Sequence, residues 1–152
     1  MTPQLHRFCA VIATLCVATF FISTLTVELL GSTESVQLVK SLILFPGLLI
    51  LIPAIAVTGA TGAIMSKQCK GKIIERKKQR MPFIALNGLV ILVPAAYFLD
   101  HWAGSGAFDT QFYCVQVLEL IAGAINLTLM SLNIKDGRKF RPNNVQNQTN
   151  GI

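Results

Sequence analysis

Charge is what this sequence has least of. Only 13% of its 152 residues are Asp, Glu, Lys or Arg, against roughly 25% in a typical soluble domain. Hydrophobic residues make up 53%. A water-facing globule of this size is therefore excluded as the simplest reading. Histidine is nearly missing as well, with only His6 and His101. The four cysteines, Cys9, Cys16, Cys69 and Cys114, show no C-x-x-C spacing and form no metal-ligand set. No phosphate-cradling glycine loop, no H-E-x-x-H and no G-x-S-x-G is present. No catalytic residue, cofactor or metal site is assigned from these patterns, and the expectation is a protein that is not an enzyme.

What is present is four long apolar runs, about 8–30, 38–65, 82–99 and 112–134. Each is close to the roughly 20 residues that cross a bilayer core of about 30 Å. The strands of a membrane barrel need only about 10 residues and alternate in polarity, which these runs do not. The fold expected is an all-α integral membrane protein, a four-transmembrane-helix bundle within residues 1–134. The first run is too long for the 7–15-residue apolar core of a signal peptide, and no A-x-A-like site follows it, so it is read as uncleaved. The last two spans do not repeat the first two.

The basic residues are gathered. "SKQCKGKIIERKKQRM", 66–81, holds seven Lys or Arg and one acid. Lys135, Arg138, Lys139 and Arg141 follow the fourth run, and Arg7 precedes the first. The other two connections hold Lys40 alone, with Glu34, Asp100 and Asp109. Basic loops stay cytoplasmic, so the bundle is expected N-in and C-in, in a bacterial inner membrane. The net charge of +6 then faces anionic lipid at the cytoplasmic leaflet rather than nucleic acid. Residues 135–152 are expected to form a basic, then polar and disordered, cytoplasmic tail. Tyr97, Trp102 and Tyr113 fall at the predicted outer boundary, as an interfacial aromatic belt does.

The fourth run is not uniformly apolar. Phe112, Gln116, Glu119, Gly123, Asn126, Met130 and Asn133 follow one another in alternating steps of four and three, which keeps them on one helix face. Leu118, Ile121, Ile125, Leu129 and Leu132 fall elsewhere on the circumference. The polar stripe Gln116, Glu119, Asn126 and Asn133 should therefore face other helices or a water-filled cavity. Glu119 lies about 12 Å along the helix from its outer end, at 1.5 Å per residue. An ionised carboxylate at that depth is costly unless paired or hydrated. With span two begun at residue 38, Lys40 sits near its outer end, and no cation is expected at the depth of Glu119. Glu28, near the end of the first run, is expected to reach water.

Small and polar residues elsewhere offer partners. Asn87 and Asn126 lie at similar depths, fit for an interhelical hydrogen bond. Thr58, Gly59, Thr61 and Gly62, with Gly123, suggest a close approach of the second and fourth helices. Three functions fit. The first is an accessory or structural subunit of a membrane complex, partnered by other membrane subunits or by itself. The second is a small proton- or cation-coupled transporter or channel acting as an oligomer around Glu119. The third, weaker, is a haem- or quinone-binding subunit. His6 and His101 fall on opposite sides of the membrane, which excludes a haem ligated by both.

Overall fold

The computed structural model describes residues 2–68 and 72–138, and these are helical throughout apart from short turns, with no strand. The elements are α1 (Thr2–Leu30), α2 (Thr33–Leu42), α3 (Leu48–Gln68), α4 (Lys72–Asn87), α5 (Val93–Gly104) and α6 (Thr110–Arg138). α2 and α3 are two halves of one rod, joined through a widened turn at Ile43–Gly47. α4 and α5 make a second broken rod, widened at Gly88–Leu92. Four stretches are long and apolar enough to cross a membrane: Pro3–Leu30, Thr33–Ile64, Arg80–Gly104 and Thr110–Asp136.

The break between α2 and α3 has a local cause. Phe45 leaves the helical region for φ −140°, ψ 119°. It precedes Pro46, whose ring disfavours helical geometry in the residue before it and which has no N–H to donate. Gly47 permits the tight packing that follows. A Cβ built there would stand 2.7 Å from Phe20 Cζ and 2.9 Å from the Leu42 carbonyl oxygen. Pro53, also inside the rod, is accommodated without such a break.

Two helix N-termini are capped by side chains. Ser32 Oγ accepts from the Ser35 amide at 3.3 Å and starts α2. Asp109 Oδ1 accepts from the Phe112 amide at 3.0 Å and starts α6. Between α5 and α6 the chain turns through Gly106, whose φ of +72° favours glycine.

The rods pack in chain order around a ring, and α6 closes the ring against α1. α1 makes its main contact with α3, α2 lies against α5, and α4 and α5 both meet α6. The main core holds Ala13, Val17, Leu51, Ala54, Ile84 and Met130. A smaller cluster of Val36, Leu99, Ala103 and Phe112 fills the end near the α5–α6 turn. The outer faces carry Phe8, Leu30, Leu49, Leu86 and Leu89 exposed. A surface so apolar suits contact with lipid rather than water.

Three sequence-based boundaries need correction. The second span begins at Thr33, not 38, because Ser32 caps a helix that starts at once after the turn. The basic segment 66–81 is not an open loop: α3 runs to Gln68 and α4 starts at Lys72. The helix of the fourth span likewise continues to Arg138, into the segment expected to be tail. The rest of the expected tail, 139–152, and Cys69 lie outside the described residues.

Candidate functional site: a charge cluster inside the bundle

Helix α6 buries the face that its sequence marks as polar. Phe112, Gln116, Gly123, Asn126, Met130 and Asn133 are all buried, and Glu119 is nearly so. Leu118, Ile121, Ile125 and Leu132 are exposed on the other side. The stripe is an interior seam.

Midway along it, Lys40 of α2 makes a direct ion pair with Glu119 Oε2. The Lys40 side chain is 0% exposed and that of Glu119 12%. Gln116, one turn before Glu119, donates from Nε2 to the same oxygen at 3.1 Å. This pair contradicts the expectation of a carboxylate with no cation at its depth. The physical reason is the early start of α2. Counted from Thr33, Lys40 is two turns into the helix, about 10 Å along it at 1.5 Å per residue. That is close to the depth of Glu119 within α6, and a lysine stem spans the remainder.

Glu28, near the end of α1, is partly exposed, as expected, but it is not wholly in water. Its Oε1 is buried with no hydrogen-bond partner, and the group lies within electrostatic range of both Lys40 and Glu119. Gln116 Oε1 is a second buried acceptor without a donor. The cluster thus draws one residue from α1, one from α2 and two from α6. A cavity of about 50 Å³ borders it, lined by Glu119, Thr24, Gly123 and the apolar Phe20, Phe21 and Leu51 among others. One water needs roughly 10–15 Å³ on this measure, so the space suits a few small molecules and no large ligand.

Deeper along α6, two amides meet. Asn87 Nδ2 donates to Asn126 Oδ1 at 2.9 Å and to the Ala122 carbonyl at 2.9 Å. Asn126 Nδ2 donates to the Ile84 carbonyl at 3.4 Å. These contacts lock α4 onto α6. At the α4–α6 end, Arg80 pairs with Asp136 at 3.0 Å. Both groups are partly exposed, so the pair is worth no more than about 1 kcal/mol. Asn133 is buried, and its Oδ1 has no partner.

The small residues of α3 serve a different neighbour from the one expected. Thr61 is buried and its Oγ1 lies 3.0 Å from His6 Nδ1 of α1, while the Thr58 carbonyl oxygen lies 3.1 Å from the same nitrogen. Gly62 meets the Met81 thioether and the His6 ring. Gly59 faces outward, with nothing within 4 Å of where its Cβ would stand. Gly123 meets Phe21 of α1, whose ring lies 3.5 Å from a built Cβ. α1 therefore takes the place that the sequence reading gave to a close contact of the second and fourth helices. The signal for this was slight: His6 is a polar residue two positions before a long apolar run.

At the opposite end, Trp102 and Phe98 stack at 5.6 Å, beside exposed Tyr97. Tyr113 is exposed and packs edge-on to Phe112 at 5.4 Å. Comparison of the chain with protein-family models, curated proteins and solved structures finds no match.

Proposed function

We propose that this chain is a non-enzymatic integral membrane protein of a bacterial inner membrane, with both termini cytoplasmic, serving as an accessory or structural subunit of a membrane complex. The observation that carries this reading is how little lies outside the rods. Among the described residues the connections are the two-residue turn 31–32 and the turn 105–109. Whatever this part of the protein offers a partner is therefore helix face. Lys40, Asn87, Gln116, Asn126 and Asn133 are turned inward, so the outward faces are free for lipid or for another apolar surface. The partners this implies are other membrane subunits or a second copy, with anionic lipid at the basic end.

Two measurements test it. A phosphatase active only outside the cytoplasm should be inactive when fused after Ile152 and active when inserted at exposed Gly104. The opposite pattern would overturn the orientation. The full chain, extracted from native membranes in mild detergent, should run with a second membrane protein at fixed stoichiometry in native mass spectrometry. A species made of this chain alone would count against the accessory role.

The second reading, a small proton- or cation-coupled transporter or channel, is favoured by one feature. The Lys40–Glu119 pair borders a cavity within a bundle that offers simpler fasteners, such as Asn87–Asn126. Ionisable groups at membrane depth are costly and are a recurrent feature of ion and proton routes. Vesicles holding the pure protein and a pH-sensitive dye should then respond to an imposed proton gradient, and Glu119→Gln should abolish the response. Vesicles as tight as protein-free ones would sink this reading.

A further inference from the structure

The donors and acceptors around Lys40 do not balance. Lys40 and Gln116 Nε2 both donate to a single oxygen, Glu119 Oε2. Glu28 Oε1 and Gln116 Oε1 are buried acceptors that receive nothing. Gln116 is 3% exposed, so its empty acceptor belongs to the interior of the bundle. Charge is unbalanced too. Among the described residues, the charged groups that act on Glu28 are Lys40 from α2 and Glu119 from α6. α3, the main neighbour of α1, has no charged side chain between 48 and 64. Two carboxylates thus share one ammonium, and with all three ionised the cluster carries one net negative charge, with Lys40 fully buried and one Glu28 oxygen enclosed.

One positive charge restores neutrality. A metal cation is a poor candidate, because the Lys40 ammonium already occupies the centre of the cluster and repels it. A proton meets no such obstacle. It turns a carboxylate into a neutral carboxylic acid and so removes the surplus negative charge.

We infer that the Glu28–Lys40–Glu119 cluster is a proton-binding site that holds one proton on Glu28, with Lys40 as the counter-ion the two carboxylates share. In the protonated state Glu28 is a neutral acid and Lys40 stays on Glu119. On release, the Glu28 carboxylic acid gives its proton to water at the α1–α2 end, and the carboxylate left behind draws Lys40 toward itself. Glu28 lies two residues from the end of α1, whereas Glu119 lies well inside α6, so exchange with water runs through Glu28. The shift of Lys40 loosens its hold on Glu119 beside the cavity. This site deepens the transport reading, but it exists whether or not the protein moves protons across a membrane.

Infrared spectroscopy of the full chain in detergent reads this directly. The wild type at neutral pH should show a carboxylic-acid C=O band that vanishes in alkali and moves when carboxyl-¹³C glutamate is incorporated. Glu28→Gln should lose the band. Glu119→Gln, which leaves Lys40 free to pair with Glu28, should lose most of it at neutral pH. A wild type without the band, or a Glu28→Gln variant that keeps it, would overturn the site. So would a band that disappears on adding NaCl or KCl at fixed pH, since a metal cation would then be the ligand. The isotope shift needs no substitution, so it stands even where a variant fails to fold. A chain that shows the band but leaves vesicles proton-tight keeps this inference while the transport reading fails.

Discussion

Replacing Lys40 by methionine should destabilise the protein by about 3–5 kcal/mol, the range for removing one partner of a buried ion pair. Methionine fills much of the lysine stem's volume, so the loss is electrostatic more than steric. It strands Glu119, whose side chain is 12% exposed, with only Gln116 as a donor. It also removes the only cation acting on Glu28 among the described residues. Glu119→Gln alone should cost far less, because a glutamine oxygen still accepts from Lys40 and from Gln116. Glu119→Leu removes that acceptor and should cost more than Gln does. The combination Lys40→Met with Glu119→Gln should be more stable than Lys40→Met alone, since no charge at position 119 is then left bare. Thermal melts of the four proteins in one detergent make the cycle. Strictly additive losses would mean that Lys40 and Glu119 do not interact.

The second large effect is expected at Asn126, which is 0% exposed. Asn126→Leu leaves the Ile84 carbonyl without its extra donor and strips one acceptor from the Asn87 amide. A buried polar group left unsatisfied costs about 1–3 kcal/mol. Leucine must also fit beside Gly88, where a built Cβ stands 3.6 Å from Asn126 Nδ2. Together these should lower stability by about 2–3 kcal/mol. Asn87→Leu should cost less, and the two substitutions should couple by roughly 0.6–1.7 kcal/mol, the span measured for hydrogen bonds between membrane helices. Ile125→Ala, one residue along but exposed, should change the melt little. Equal losses at 125 and 126 would remove the distinction between seam and outer face.

The contrast between residues 125 and 126 was legible in the sequence because a helix repeats every 3.6 residues, and one face of α6 collects the amides while the other collects leucine and isoleucine. Span number was legible for a similar reason: length and hydropathy belong to each segment alone. Which helix touches which is a different kind of fact. Thr61 and Gly62 lie on a helix that is apolar nearly all round, so periodicity gives no preferred face, and their true partner is His6 of α1. Lys40 was misplaced by a boundary. The polar residues Ser32, Thr33, Glu34 and Ser35 read as loop, yet a serine cap followed by an acid in the first turn is also how helices begin. Moving that start by five residues carries Lys40 inward by more than a turn. Glu28 was legible in part: two residues from a helix end it is partly exposed, but distance along the chain gave no sign that its Oε1 is buried.

The charge cluster and the Asn87–Asn126 contact both depend on a helical bundle in which α6 turns its polar seam inward. Single cysteines in a background without native cysteine, at 116, 123 and 126 on one face of α6 and at 117, 121 and 125 on the other, would be treated in native membranes with a thiol reagent dissolved in the lipid phase. The first set should stay unlabelled and the second should react readily. Labelling of both sets alike, or of the first set in preference, would contradict the inward seam and with it the charge cluster built on Glu119.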